Sequence, residues 1–169
     1  MRLRLEKYSY RFVEQVLNSK LAIKQEIDDA LTHLSIQIPT LSRPEFNKVL
    51  RDKFIGKGWE DQPDVFQGED EPPARMDFLK ERVGIEVGFG HASFIGIDLL
   101  KFYIPSYSVV DQIDIGIYVT TTKSFQKNMR TEFDQNWDGS LNFEKVVRYL
   151  PYFKSATQVP IYVLGIDIG

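Results

Sequence analysis

Two carboxylates and a missing side chain organise the stretch "RMDFLKERVGIEVGFG", residues 75–90. Val83, Ile85, Val87 and Phe89 alternate with Gly84, Glu86 and Gly88, the period of a strand with one apolar face. A hairpin centred between Glu81 and Arg82 opposes residues 80/83, 79/84, 78/85 and 77/86. Asp77 then stands across from Glu86, with the two Cβ atoms about 4.5–5.5 Å apart. Like charges at that separation repel, so the pair calls for a compensating cation. A hard divalent ion suits it, because Mg²⁺ is typically held by one or two carboxylates with phosphate oxygens and water completing its shell. The competing reading is an exposed, solvated acidic hairpin. The small residues flanking Glu86 weigh against that, since Gly84 and Gly88 leave room for a bulky ligand or another backbone. The register rests on the alternation, because Glu-Arg is not a favoured two-residue turn pair.

The elements that must hold this hairpin follow from periodicity. Phe12, Val13, Val16 and Leu17 have helical spacing, as do Leu21, Ile23, Ile27, Ala30, Leu31 and Leu34. "RPEFNKVLRDKFIGKG" reads as a third helix closed by glycine. Residues 56–73, rich in turn signals and acids, read as a loop of functional length. Strands over roughly 74–80 and 82–89 precede a helix, "HASFIGIDLLKFYIP", ended by Pro105. A strand in "QIDIGIYVTTT", a helix in "SLNFEKVVRYLPYF" and a buried strand in "VPIYVLGIDI" complete the order. The expectation is a single α/β domain over 1–169, with N-terminal helices in 1–55 and a sheet core in 74–168 that carries the hairpin.

Composition narrows the chemistry. With 43% hydrophobic and 27% charged residues the chain reads as an ordinary globular domain. No apolar run reaches the length of a membrane span and "MRLRLEKYSYRF" lacks the core of a signal peptide, so a cytoplasmic protein without a membrane partner is expected. The absence of cysteine excludes thiolate catalysis, disulfides and Cys-based zinc sites. A net charge of −3 argues against a non-specific DNA coat, but not against basic residues gathered in one cleft. "GFG" at 88–90 lacks the third glycine of a dinucleotide fingerprint, so no nucleotide cofactor is expected. "DQNWDGSLNFEK" nearly writes a calcium loop, yet Lys145 stands where the bidentate Glu is required, and an Asp-Gly turn before a helix is the better reading. His33 is expected to be a partly buried structural residue.

An acid, a short hairpin and Glu-x-(Lys or Gln) form the signature of the PD-(D/E)XK nuclease superfamily. "MDFLKERVGIEVGFGHASFIGIDLLKF" followed by "DQIDIGIYVTTTKSFQKNM" resembles the type II restriction endonucleases of the BglII and BstYI group. The pattern of that group is Asp, eight residues, then Glu-Val-Gln-Phe, and this chain has Asp77, Glu86, Val87 and Phe89 at that spacing. The resemblance spans roughly residues 45–168, with its specific part in 74–130. It implies a restriction-endonuclease-like central mixed sheet flanked by helices. It also implies Mg²⁺-dependent hydrolysis of double-stranded DNA, with Mn²⁺ as a substitute, by a homodimer acting on a GATC-containing palindrome. Asp77 and Glu86 would bind the metal together with the main-chain carbonyl of Val87, and Gln62 would lie near it. His91 and Ser93 would meet bases, and Lys123, Ser124 and Lys127, in the loop after a strand, would approach the DNA. Gly88 departs from the pattern. Relatives carry Gln there and the wider superfamily carries Lys, beside the attacking water. Glycine can do neither job, so the alternative is a DNA-binding protein of the same fold with impaired catalysis. Lys80 and Lys101 are the nearby basic candidates for a substitute.

Overall fold

Two strands without a polar face set the centre of the molecule. In the computed structural model, which describes residues 3–34, 37, 40–65, 74–107 and 111–169, β5 (Ile115–Thr121) is buried at every position and β6 (Ile161–Ile168) at all but its last. Such unbroken burial belongs to parallel strands covered on both faces. β5 and β6 are indeed parallel, and β4 (Val83–Val87) runs parallel to β5 on the other side. β1 (Leu3–Tyr10) closes one edge antiparallel to β6. β3 (Phe78–Lys80) and β2 (Glu60–Asp61) extend the opposite edge, giving the order β1-β6-β5-β4-β3-β2. The mixed sheet with helices on its faces is the architecture expected.

The period of two sorts the strand residues between two apolar layers. Ile115, Ile117, Val119, Leu164 and Ile166 pack with α1 (Val13–Leu17), α2 (Leu21–Thr32), α3 (Arg43–Gly56) and α5 (Lys123–Phe133). Tyr118, Ile161 and Val163 pack with α4 (Phe94–Tyr107) and α6 (Phe143–Tyr149) on the other face. Glu86 points to that second face. Close approach there depends on Gly116, where a Cβ would fall 2.7 Å from the ring of Phe102. Only a glycine lets α4 settle this near β5.

The hairpin has the expected register: Phe78 pairs with Ile85, Leu79 with Gly84 and Lys80 with Val83. Its two-residue turn puts Glu81 and Arg82 at φ 47° and 66°, the left-handed pair of a type I′ turn that Asn-Gly would fill more easily. External anchors hold it instead. Arg82 forks onto Asp114 at 2.8 and 2.9 Å and onto Asp111 at 2.7 Å, while Lys20 Nζ donates to the Glu81 carbonyl at 2.9 Å. Beyond the hairpin, Phe89 is clamped edge-on by Phe46 and Trp137, with ring centroids 5.3 and 5.5 Å apart. The chain that leaves Glu86 is thus fixed at both ends.

Several expectations need correction. Residues 1–55 are not helices throughout, since Leu3–Tyr10 forms a strand whose burial alternates too weakly to read against its many charges. The loop expected at 56–73 contains β2 and Asp64, which bridges to Arg75 beyond it, and its residues 66–73 lie outside the described ones. Pro105 does not end α4, because a proline in the last turns forfeits a hydrogen bond only near the end of the helix. His33 is exposed at the end of α2 rather than partly buried.

The turn makes a direct prediction. Asn tolerates left-handed backbone that costs other residues about 1–2 kcal/mol, so Glu81→Asn should stabilise the protein by roughly 0.5–1 kcal/mol in urea denaturation. A lowered midpoint would contradict the reading of this turn.

Candidate active site

Asp77 lies just before β3, where the ladder has ended one pair short of 77/86. Its carboxylate replaces the missing ladder bond, Oδ2 accepting from the Val87 N–H at 2.7 Å. Glu86 is only 3% exposed and lies between β4 and α4. From α4, Lys101 donates to Glu86 Oε2 at 2.9 Å and stands 3.6 Å from Asp98 Oδ1. The buried Tyr118, paired with Glu86 across β4 and β5, donates its hydroxyl to Asp98 Oδ2 at 2.6 Å. Three carboxylates, one ammonium and one phenol therefore share a largely dry space.

Burial sets the electrostatics. It pushes Glu86 up to about 9, with repulsion from Asp77 adding to it and Lys101 opposing it. Burial also raises Asp77 against the Val87 hydrogen bond, and raises Asp98 against the bond from Tyr118. For Lys101 burial works against the charge, but Glu86, Asp98 and Asp77 outweigh it and hold the group above its usual value. Tyr118 is raised by burial and by Asp98.

A divalent cation fits this donor set. Glu86 Oε1 is buried with no hydrogen-bond partner, an acceptor left open beside a second carboxylate. Among the described residues no group of three or more His, Cys, Asp or Glu gathers in metal-binding geometry. The remaining positions would therefore fall to main-chain, water or phosphate oxygens, the usual habit of Mg²⁺. Asp77 and Val87 border a cleft of about 350 Å³ whose far wall is α3, through Asn47, Lys48 and Arg51.

The structure brings Gln62 into this cleft. It follows β2 at φ 48°, and its N–H donates to the Asp77 carbonyl at 3.0 Å. His91 and Ser93 are exposed in the turn between β4 and α4, the ring Nδ1 2.8 Å from the Ser93 hydroxyl. Lys123, Ser124 and Lys127 are also exposed, but on the first turns of α5 and not in a loop. Thr122 caps that helix by accepting from the Phe125 N–H at 2.9 Å, so the loop expected to carry residues 123–127 ends before Lys123. Both groups follow the C-terminal ends of parallel strands, the same sheet edge on which Asp77 enters β3.

The room expected above the hairpin glycines is taken by the protein itself. The Met76 thioether fills the space over Gly84, and a Cβ on Gly88 would fall 2.6 Å from Leu141 Cδ2 and 3.1 Å from the Tyr118 hydroxyl. The calcium-like segment is likewise committed elsewhere: Asp134 ends α5, Asp138 pairs with Arg130 at 2.7 Å, and Asn142 caps α6. Asp98, Tyr118, Lys48 and Arg51 went unnoticed in the sequence. For Asp98 and Lys101 a signal existed, as they are the only charged residues in the apolar helix α4 and lie three apart.

The mixed sheet and its carboxylate hairpin define a restriction-endonuclease fold. The crystal structure of restriction endonuclease BglII complexed with a DNA 16-mer superposes with a TM-score of 0.73 at 18% identity, over 98% of this chain and 79% of that one. Free BglII superposes with a TM-score of 0.68 at 19% identity, over 98% and 80%. Residues 5–166 match the family model "Restriction endonuclease BglII/BglIII", and the chain belongs to that family. No curated protein sequence matches it. Among the described residues no helix is long and apolar enough to cross a membrane.

A pH dependence follows from the buried acids. Between its unfolded value near 4.5 and about 9, folded Glu86 keeps a proton that the unfolded chain has released. Stability must therefore fall as pH rises through that window, and the raised Asp77 and Asp98 act in the same sense. The thermal midpoint of the metal-free protein should decline across this range, and Glu86→Gln should remove much of the slope. A flat wild-type profile would contradict the burial argument.

Proposed function

We propose that this chain is a divalent-metal-dependent, site-specific endonuclease acting on double-stranded DNA. The observation that carries the reading is the buried Glu86 with an unpartnered oxygen, beside Asp77 at a cleft whose opposite wall holds Lys48 and Arg51. Membership of the BglII/BglIII restriction endonuclease family and the likeness to a DNA-bound BglII structure support it. Asp77, Glu86 and the Val87 carbonyl would hold Mg²⁺, or Mn²⁺ in its place. Such an ion lowers the pKa of an attacking water and neutralises charge on the scissile phosphate. Gln62 lies within reach of the cleft to orient phosphate or water. Lys48, and Arg51 once drawn from its ion pair with Asp61 on the same cleft, would attract the backbone, an electrostatic term that carries no sequence information. His91 and Ser93 are offered to base edges, and Lys123, Ser124 and Lys127 to the strand that passes the first turns of α5. A GATC-containing palindrome is the proposed site.

A palindrome cut on both strands calls for two copies, and α4 offers the surface. Its outer face leaves Phe94, Ile97, Leu100 and Tyr107 each more than half exposed, a continuous apolar stripe on a helix whose other face packs on the sheet. Like faces brought together around a two-fold axis would cover it. A second reading, a DNA-binding protein with impaired cleavage, is favoured by Gly88 alone.

Incubation with a GATC-rich plasmid and Mg²⁺ or Mn²⁺ should give discrete fragments. Glu86→Gln and Asp77→Asn should slow cutting by about 10³-fold or more while still shifting DNA in a gel. Intact plasmid with a gel shift supports the second reading, and neither cutting nor a shift on any DNA refutes both. In sedimentation the wild type should run as a dimer and Leu100→Asp as a monomer; a monomeric wild type would remove the α4 interface.

A further inference from the structure

A polar side chain is absent at position 88, yet a cation already stands beside the carboxylates. We infer that Lys101, delivered from α4, performs the task that a Lys or Gln at position 88 would perform, holding the attacking water and lending it a positive neighbour. This inference rests on the nuclease reading above.

The geometry gives three grounds. The first is the match of place. A Cβ on Gly88 would lie 3.1 Å from the Tyr118 hydroxyl and 3.7 Å from Asp98 Oδ2. Those two groups are the ones that lead to Lys101, through the 2.6 Å bond from Tyr118 to Asp98 and the 3.6 Å approach of Asp98 to the ammonium. The volume that a side chain at 88 would cross is thus taken by Leu141 Cδ2, at 2.6 Å, and by the two groups that set Lys101. The second is cost. Asp98 and Lys101 are the only charged residues of α4, the Asp98 side chain is 11% exposed and that of Lys101 21%. Withdrawing such groups from water is unfavourable unless each finds a partner, and Lys101 finds it in Glu86 at 2.9 Å. The third is exclusion of the rival. Lys80 Nζ is already held by both carboxylate oxygens of Glu26, at 2.9 and 3.0 Å, and by the Lys57 carbonyl at 2.7 Å. Tyr118 and Asp98 are then positioning residues for Lys101.

Lys101→Met keeps the apolar stem and removes the charge, and Lys101→Gln is a second variant should the first fold poorly. Each is compared with wild type in single-turnover plasmid cleavage with Mg²⁺, in DNA binding with Ca²⁺, and in titration of the DNA-free protein with Tb³⁺, read by its luminescence. Cleavage should slow by about 10²-fold or more. DNA affinity should stay within about threefold, and Tb³⁺ should bind about threefold or more tightly once a like charge is gone. Variants that cut at the wild-type rate overturn the inference. So do variants that lose Tb³⁺ binding together with cleavage, since Lys101 would then be a structural prop for the carboxylates. A wild-type protein that cuts nothing refutes the nuclease reading separately. The Tb³⁺ titration then decides the lysine: tighter binding supports its place beside the metal carboxylates, and unchanged binding overturns it.

Discussion

The structure turns on the desolvation of Glu86. Its carboxyl group is withdrawn from water beside two others and so holds its proton well above the usual range, with a single ammonium from a neighbouring helix facing all three. An isolated buried carboxylate would cost several kcal/mol, and repulsion from Asp77 adds to that. A site of this kind requires a rigid surrounding fold, and a bound cation would repay the cost in use. Both the close packing of α4 and the open oxygen of Glu86 follow from that constraint.

The fold supplies the rigidity in recognisable steps. Gly116 lets Phe102 press α4 onto β5, which sets the depth at which Asp98 and Lys101 enter the sheet face. Tyr118, registered opposite Glu86 by parallel pairing, fixes Asp98 from below. The strained turn at Glu81 and Arg82 is anchored by Asp111, Asp114 and Lys20, so the hairpin cannot slip and exchange its two faces. Phe46, Phe89, Phe125 and Trp137 close the far end of β4 with edge-to-face ring contacts. The site is therefore held from three elements that are distant in sequence.

What could be read before the fold was known follows the range of each interaction. The hairpin register was legible because a period of two is local, and apolar alternation from Val83 to Phe89 admits one phase. The approach of Asp77 to Glu86 was legible for the same reason. The strand at Leu3–Tyr10 was not, because it pairs with β6 some 160 residues away in sequence and only a long-range partner stabilises it. The occupants of the space over Gly84 and Gly88 were hidden as well. A glycine in a strand states that something comes close, and only packing reveals that it is Met76, Leu141 and Tyr118 rather than a ligand. Lys101 was visible as one basic residue among others, and its distinction comes from the helix–sheet distance.

The central claim is that the Asp77–Glu86 pair is built to hold a divalent ion against DNA. Anomalous diffraction from a crystal of the protein with Mn²⁺ and a GATC-containing duplex tests it most directly. The account predicts a peak bound by one oxygen of Asp77, by Glu86 and by the Val87 carbonyl, with a DNA phosphate oxygen completing the shell. A bound duplex with no peak between these carboxylates, and with Lys101 still their only counter-ion, would contradict it.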